Sequence, residues 1–389
     1  MELGGAEISL IGLLQAMDYS RYDVDLFIHS HQGELMQFIP KDVNLLPEIR
    51  EYALVEKPMV EVLKAGRLRL LWARLKAKYL FKKYIKKIGV EQSAAIFQYI
   101  GDAVTPVLPS LRYLGEYDLA ISFLNPHNIV RDKVQAKKKA CWIHTDYTRI
   151  DINLEKELPV WASYDYIISI SPEVSKSFTK VFPSLGNKIV EIENILSPDF
   201  VRKRASEFDV HKEIFKEQGI TNILSVGRFT NAKNYDNLPD ICRRIHGHGA
   251  SVRWYLIGYG GDEDLIRRKI SEAGMENYVI ILGKRSNPYP YMKACDIYAQ
   301  PSRYEGKSVT VREAQMLCKP VVVTNYPTAK SQIQDGVDGV IVPMDNEGCA
   351  KGIVDFIQDK HLQREIVDYL STHDYGNVDE ARKIEKLME

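Results

Sequence analysis

The sequence lacks the features that mark several classes of protein. Its five cysteines are odd in number, far apart and never in a C-x-x-C pair, which argues against a disulfide framework or a zinc site. It contains no run of about 18 uncharged apolar residues, the usual requirement for a membrane span. Charge of one sign is not in excess, since 52 Lys and Arg balance 52 Asp and Glu, so we expect no nucleic-acid partner. We therefore expect a cytoplasmic protein, at most peripheral at the inner face of a membrane.

The sequence predicts an α/β protein of two domains. A chain of 389 residues is too long for one ordinary core, and 45% apolar content is enough to build two. Short β-branched or aromatic runs alternate with helix-compatible stretches, the pattern of doubly wound parallel sheets. The predicted strands are 22–28, 117–124, 139–143, 164–171 and 188–194 in the first half, and 222–227, 252–258, 278–283, 296–300, 319–324 and 339–343 in the second.

The predicted boundaries follow from a polar segment near the middle of the chain. Residues 196–208 are polar and carry a proline, which favours an inter-domain linker and a candidate hinge. We expect an N-terminal domain over 1–198 and a C-terminal domain over 209–370. A C-terminal helix over 371–389 is expected to pack back on the N-terminal domain.

The N-terminal domain is expected to lack its first strand. The opening "MELGGAEISLIGLLQAM" is a Gly-Gly turn followed by an apolar-periodic helix, and a doubly wound domain normally reaches that turn from its first, central strand. One interpretation is that the sequence begins at an internal methionine or is truncated. The alternative is an unusual domain that begins with a helix.

Residues 64–87 form a basic amphipathic stretch. They contain ten Lys or Arg and no Asp or Glu, interleaved with Leu, Trp, Tyr, Phe and Ile. Such a pattern is typical of a surface attracted to anionic lipid headgroups. The alternative is a solvated helix whose apolar side packs on its own domain.

Two acids, Glu305 and Glu313, stand eight positions apart around a glycine, just ahead of an apolar strand. If a helix begins near Gly306, that spacing corresponds to about 12 Å of rise, too far for the acids to share a proton or a metal ion. They are suited instead to hydroxyl pairs at two ends of a ligand, with the helix N-terminus offering N–H groups to an anion between them. A sugar nucleotide has this layout, because its diphosphate lies between the hydroxyls of the sugar and those of the ribose.

A second segment, "SVGRFTNAKN", supplies positive charge for a diphosphate. Arg228 and Lys233 lie five residues apart after a predicted strand, so both can converge on phosphate oxygens at the carboxyl edge of the sheet. They are able to stabilise charge on a departing nucleoside diphosphate without a metal ion. On its own this motif is weak, because an Arg and a Lys on a loop are more often simply solvated surface.

The ordered set "VGRFTNAKN", "YLIGYGGDEDLI", "PSRYEGKSVTVREAQMLCKPVVVTN" and "GVDGVIVP" resembles the C-terminal half of the retaining glycosyltransferases of family 4. The resemblance covers residues 222 to about 345, and the "GGAE" turn at 4–7 resembles their N-terminal domain more weakly. It implies the GT-B fold, in which two Rossmann-like domains face a central cleft. It also implies transfer with retention and without a metal ion, with a nucleoside-diphosphate sugar as the donor substrate.

Carried over to this sequence, the resemblance implies a role for each matching residue. Arg228 and Lys233 would bind the donor diphosphate, Glu305 a hydroxyl of the transferred sugar and Glu313 the ribose. The backbone of Gly306, Lys307 and Ser308 would lie beside the sugar and phosphate. The loop at Lys284 and Arg285 would contact the base. Gly4 and Gly5 would lie beside the diphosphate and the acceptor. His144 resembles the family's sugar-contacting histidine.

The sequence departs from the family at two places. Asn234 stands where the family usually has glycine, and Lys307-Ser308 replace the common Phe-Gly, so the sugar is not predicted. UDP is favoured because the base pocket is expected to be formed by main chain. The expected acceptor is a saccharide or lipid-linked saccharide of cell-surface polysaccharide synthesis. The alternatives are a GT-B-fold sugar-nucleotide epimerase and a non-catalytic sugar-nucleotide-binding subunit.

Overall fold

The chain folds into two compact units of α/β architecture. The computed structural model describes residues 5–90, 93–305 and 308–388. One unit consists of Met1–Ile195 with Asn377–Glu389, and the other of Leu196–Gly376. In the described parts of the chain, none of the helices combines the length and apolar character needed to cross a bilayer.

The first unit contains two separate parallel sheets among its described residues. The strands of the larger sheet lie in the order β3, β4, β5, β6, whereas β1 pairs only with β2. Elements are numbered along the chain. The strands are β1 Asp25–Leu26, β2 Asn44–Leu45, β3 Glu116–Ser122, β4 Gln135–Ile143, β5 Tyr166–Ser169 and β6 Ile189–Glu191. The helices are α1 Gly5–Ala16, α2 Arg50–Ala53, α3 Met59–Lys64, α4 Leu68–Ile88, α5 Ala95–Val104, α6 Asn128–Lys133, α7 Leu154–Ala162, α8 Pro172–Val181 and α16 Arg382–Glu385.

The end of the chain is part of the core of the first unit. Ala381, Ile384 and Leu387 are buried in one apolar cluster with residues of α1 and β4, such as Leu13 and Trp142. Because three apolar side chains are removed from water together, burial holds this terminal segment on the sheet. After the second unit, the part of the chain that belongs to the first unit begins at Asn377.

The second unit has one six-stranded parallel sheet in the order β12, β11, β10, β7, β8, β9. Its strands are nearly continuous apolar runs, as expected for a sheet covered on both faces. The strands are β7 Ile220–Val226, β8 Ser251–Ile257, β9 Val279–Gly283, β10 Ile297–Gln300, β11 Val321–Thr324 and β12 Val340–Val342. The helices are α9 Pro198–Arg204, α10 Leu238–Gly247, α11 Glu263–Ala273, α12 Tyr289–Ala294, α13 Val309–Met316, α14 Asn346–Gln358 and α15 Lys360–Thr372.

The order of the strands creates a switch point beside β7. From β7 the chain moves outward through β8 to β9, then returns to place β10 on the opposite side of β7. The loops that follow β7 and β10 therefore border one crevice at the carboxyl edge of the sheet. In open α/β sheets this crevice is where ligands bind.

The segment 196–208 is not the simple linker that its polarity predicts, because it contains helix α9. Ser197 caps this helix by accepting a hydrogen bond from the backbone N–H of Phe200, and Pro198 occupies its first turn. Ser followed by Pro is a helix-start signal. Phe200 and Val201 are buried, so two apolar residues anchor a segment that is otherwise basic.

We predict that Gly12→Ala destabilises the first unit. Gly12 lies inside α1, where an added Cβ would come 2.1 Å from the carbonyl oxygen of Ile195. Alanine ordinarily favours a helix by about 1 kcal/mol over glycine, but this backbone clash outweighs that preference. Thermal unfolding followed by circular dichroism should show a lower transition temperature for Gly12→Ala.

Gly5→Ala in the same helix is the matched control for stability. A Cβ at Gly5 meets no described atom within 4 Å, so its transition temperature should stay near that of the wild type. A Gly12→Ala protein as stable as the Gly5→Ala protein would contradict the packing of α1 described here.

Candidate functional site

The carboxyl ends of β7 and β10 bring Lys233 and Glu305 into contact. Lys233 follows β7, Glu305 follows β10, and the lysine Nζ lies 2.6 Å from the glutamate Oε1. Their side chains are 19% and 12% exposed, so a charged pair lies mostly out of water at the switch point. This contact joins two of the segments that the sequence singled out.

Two polar side chains hold the same carboxylate oxygen of Glu305 that Lys233 contacts. Ser302 Oγ donates to Glu305 Oε1 at 2.6 Å, and Gln300 Nε2 donates at 3.2 Å. The amide of Gln300 is itself oriented because its Oε1 accepts a hydrogen bond from the Tyr298 hydroxyl at 2.8 Å. The sequence motifs do not single out Gln300 and Ser302, although polar residues at the end of a buried strand are a signal of a functional edge.

Asn234 explains one departure from the family pattern. Its φ is 61°, in the left-handed region where glycine is the usual residue and asparagine is among the better tolerated alternatives. Asn234 is buried, and its Oδ1 accepts a hydrogen bond from Asn237 Nδ2 at 2.8 Å. Asparagine thus preserves the tight turn that places the preceding Lys233.

Arg228 lies on the same loop as Lys233 and is exposed. Gly227 precedes it, and an added Cβ there would come 3.0 Å from Lys233 Cε. A residue larger than glycine at position 227 would therefore press on the lysine stem. The loop thus offers one part-buried cation and one cation that faces solvent.

The predicted geometry of the two acids is wrong. Helix α13 begins at Val309, so Glu305 precedes it and the expected rise between Glu305 and Glu313 along one helix does not apply. Glu313 is only 3% exposed, and its Oε1 accepts a hydrogen bond from the Tyr289 hydroxyl at 2.8 Å. Burial raises the pKa of Glu313 to about 7, although the Tyr289 hydrogen bond acts in the opposite direction.

The backbone of Ser308 is engaged within the unit. Its N–H donates to Gln332 Oε1 at 2.9 Å, and its carbonyl accepts from Gln332 Nε2 at 2.6 Å. This N–H already has a partner, whereas the sequence predicts free N–H groups for an anion at the start of the helix. Gly306 and Lys307, expected beside it, lie outside the described residues.

The loop after β9 carries Lys284 and Arg285. Arg285 Nη2 lies 2.5 Å from Glu213 Oε2, and its Nε donates to the Tyr291 hydroxyl at 2.9 Å. Lys284 is exposed, with its Nζ 5.3 Å from the centre of the Tyr259 ring. The Arg285 side chain is thus committed to partners within the second unit, whereas the Lys284 side chain faces solvent.

In the first unit, His144 follows strand β4. Its Nε2 lies 2.9 Å from the carbonyl oxygen of Phe123, and its ring stacks on Trp142 at 5.9 Å between ring centres. Burial lowers the pKa of His144 to about 4, so the imidazole is neutral near pH 7. Since Nε2 must carry the proton that bonds Phe123, Nδ1 is left as a hydrogen-bond acceptor.

The remaining predicted residues lie at the start of the chain. Gly5 is the first residue of α1, and Gly4 lies outside the described residues. Within the described ranges, no group of three or more His, Cys, Asp or Glu side chains is arranged to hold a metal ion.

The second unit matches a known enzyme family. Residues 207–371 match the family model described as glycosyl transferases group 1. The first unit is outside this match.

Curated relatives resemble part of the chain. A Campylobacter jejuni N-acetylgalactosamine-N,N'-diacetylbacillosaminyl-diphospho-undecaprenol 4-alpha-N-acetylgalactosaminyltransferase is 31% identical over 144 residues, which are 36% of this chain and 39% of the relative. The amylovoran biosynthesis glycosyltransferase AmsD of Erwinia amylovora is 24% identical over 49% of this chain and 53% of its own. The chain thus spans about two fifths to half of the length of these relatives.

Solved structures resemble nearly the whole chain. The Anabaena HepE structure in complex with UDP and glucose has a TM-score of 0.64 at 17% identity, covering 98% of this chain and 95% of that one. A glycosyltransferase from Rickettsia africae has a TM-score of 0.60 at 17% identity, and the match covers 99% of this chain and 94% of that one. The fold is therefore the GT-B fold, with an α/β Rossmann-like architecture in each unit.

We predict that Glu313→Gln stabilises the second unit more at pH 7.5 than at pH 5. The folded-state pKa of Glu313 is raised above that of an unfolded chain, so the wild type loses stability as the pH rises from about 4.5 to about 7. Glutamine cannot ionise and avoids that loss, which amounts to about 3 kcal/mol at most. Unfolding temperatures of the two proteins should diverge by several degrees over this range.

The same substitution at the exposed Glu276 is the control and should change little at either pH. A constant difference between Glu313→Gln and the wild type across this pH range would show that Glu313 is not held as a buried carboxyl.

Proposed function

We propose that this protein is a retaining glycosyltransferase that moves a sugar from a nucleoside-diphosphate sugar, with UDP favoured, to a saccharide or lipid-linked saccharide. The observation that carries the proposal is the contact between Lys233 and Glu305 at the switch point of the second unit. A cation and a carboxylate side by side match a donor in which a diphosphate adjoins a polyhydroxyl ring.

The diphosphate and the sugar of the donor would contact different members of the ion pair. Its diphosphate would approach the ammonium of Lys233, with exposed Arg228 adding a second positive charge from the same loop. Its sugar hydroxyls would donate to the carboxylate of Glu305, which Ser302 and Gln300 hold in place. A diphosphate would thus compete with Glu305 for the ammonium and loosen an existing ion pair.

The comparisons support this assignment at the level of class. The matching family model describes glycosyl transferases, and the curated relatives are named for transfer of N-acetylgalactosamine and for amylovoran biosynthesis. A solved neighbour contains UDP and glucose. These names favour a UDP-sugar donor and a role in cell-surface polysaccharide assembly, such as a capsule.

The proposed reaction is a front-face displacement. The acceptor hydroxyl oxygen forms a bond to the anomeric carbon on the face that the leaving group occupies. The bond from that carbon to the diphosphate oxygen breaks, its electrons stay on the diphosphate, and the acceptor proton passes to a phosphate oxygen. Lys233 and Arg228 stabilise the negative charge that grows on the leaving group, and no protein nucleophile is required.

His144 is assigned a binding role in this proposal. As a neutral ring with its proton on Nε2, it is able to accept a hydrogen bond from a sugar hydroxyl through Nδ1. It does not act as a proton donor near pH 7, because its pKa lies far below that pH.

Transfer and donor hydrolysis should depend on the three charged residues of the second unit. With a panel of UDP- and GDP-sugars, we expect Lys233→Ala and Glu305→Gln each to lower kcat/KM by about 10²–10³-fold, the usual effect of removing a group that stabilises a transition state. Arg228→Ala should have a smaller effect because this side chain faces solvent. The measurement is release of nucleoside diphosphate with and without acceptor.

Lys351→Ala, which removes an exposed lysine from α14 of the same unit, should keep full activity. Equal turnover by wild type and Lys233→Ala would refute the site. A new sugar nucleotide formed without acceptor would instead favour an epimerase. Donor binding by calorimetry without any turnover would favour a non-catalytic subunit.

The stereochemistry of transfer is a separate prediction. Because the attack is proposed on the face of the leaving group, the anomeric configuration of the product should equal that of the donor. Proton NMR of the anomeric signal during the first turnovers measures this. An inverted signal would refute the front-face mechanism while leaving the donor site intact.

A further inference from the structure

Helix α4 has apolar side chains on two opposite faces. Its inner face buries Leu70, Ala73 and Ala77. Leu70 and Ala73 belong to an apolar cluster that also contains Tyr52 and Val104 of the same unit. This inner face packs the helix on its own unit, and further contacts add to it, such as the hydrogen bond that the Tyr84 hydroxyl donates to the carbonyl oxygen of Ile152 at 2.9 Å.

The outer face carries a second apolar set, here termed the α4 stripe: Leu68, Trp72, Leu75 and Tyr79. Trp72 is 70% exposed, Tyr79 68%, Leu68 55% and Leu75 40%. Their spacing of four, three and four residues places them within about 60° of one another around the helix. Packing on the unit itself does not explain this stripe, and Trp and Tyr are the residues enriched where protein meets a membrane interface.

Positive charge surrounds the α4 stripe. Lys76 and Lys83 flank it on one side of the helix, Lys78 and Lys82 flank it on the other, and all four are exposed. Among the described residues these lysines have no acidic partner. Two other basic residues of the stretch are committed to the unit, since Arg67 pairs with Glu51 at 2.8 Å and Arg74 donates to the carbonyl oxygen of Lys57 at 2.5 Å.

We propose that the α4 stripe and its flanking lysines dock this protein on an anionic lipid bilayer. The aromatic and leucine side chains enter the interface between headgroups and acyl chains, while the lysines meet lipid phosphates. A second copy of the chain fits less well, because two such stripes face to face would bring like-charged lysines together. A nucleic acid offers phosphates to the lysines but no apolar partner for four adjacent apolar side chains.

Trp72 is a built-in reporter for the experiment. The protein has four tryptophans, and Trp142, Trp161 and Trp254 are at most 2% exposed. Added phosphatidylcholine vesicles with 30 mol% phosphatidylglycerol should shift the emission to shorter wavelength and protect it from acrylamide. Pure phosphatidylcholine vesicles should give at least tenfold weaker binding, and salt should weaken binding to the anionic vesicles.

Matched variants separate the stripe from a general surface effect. Vesicle sedimentation should show at least tenfold weaker binding for Trp72→Ala/Tyr79→Ala, but no change for Tyr113→Ala, whose ring is 72% exposed in the same unit. Lys82→Ala/Lys83→Ala, which removes one flanking lysine from each side of the stripe, should weaken binding to anionic vesicles severalfold. Lys176→Ala/Lys180→Ala, which removes two exposed lysines of α8, should not.

Equal binding to neutral and anionic vesicles, or unchanged binding by the stripe variant, would overturn the proposal. Sedimentation velocity without lipid is the second readout. A dimer of the wild type that Trp72→Ala dissociates would assign the stripe to a second copy and would also overturn it. No sugar donor or acceptor is present in these experiments, so their outcome does not depend on the proposed transferase activity.

Discussion

The ion pair between Lys233 and Glu305 is the interaction on which the site depends. Two charges that are mostly withdrawn from water are tolerated only when they are paired and hydrogen-bonded. Glu305 meets this condition with contacts from Lys233, Ser302 and Gln300. The pair thus requires the loops after β7 and β10 to meet, and the order of strands in the second unit brings them together.

The chain around the pair serves to keep it in place. Asn234 takes the left-handed conformation that turns the loop back after Lys233, and Gln332 fixes both backbone groups of Ser308 ahead of α13. Such supporting contacts matter because charged groups act on a developing charge only when they are already oriented toward it. The ammonium of Lys233 is thus held in place at the carboxyl edge of the sheet by contacts within the second unit.

The strands of the second unit were predictable from the sequence, and the contacts of the site were not. β7 to β12 lie within two residues of their predicted ends, because buried parallel strands are short apolar runs bounded by turn residues. In the first unit, only Asp25–Leu26 of the strand predicted over 22–28 forms β1, and its partner β2 was not predicted because it has only two residues. Helix α9 was hidden by its basic residues. Glu305 precedes α13 and contacts Lys233, whereas Glu313 is buried against Tyr289. Both arrangements depend on tertiary packing, which the spacing of residues in the sequence does not encode.

A crystal structure of the protein with a UDP-sugar bound is the most direct test of the central claim. The account predicts diphosphate oxygens within hydrogen-bond distance of Lys233 Nζ, sugar hydroxyls on the Glu305 carboxylate, and the direct contact between Lys233 and Glu305 lengthened or broken. Nucleotide bound away from the carboxyl ends of β7 and β10, with that ion pair unchanged, would contradict it.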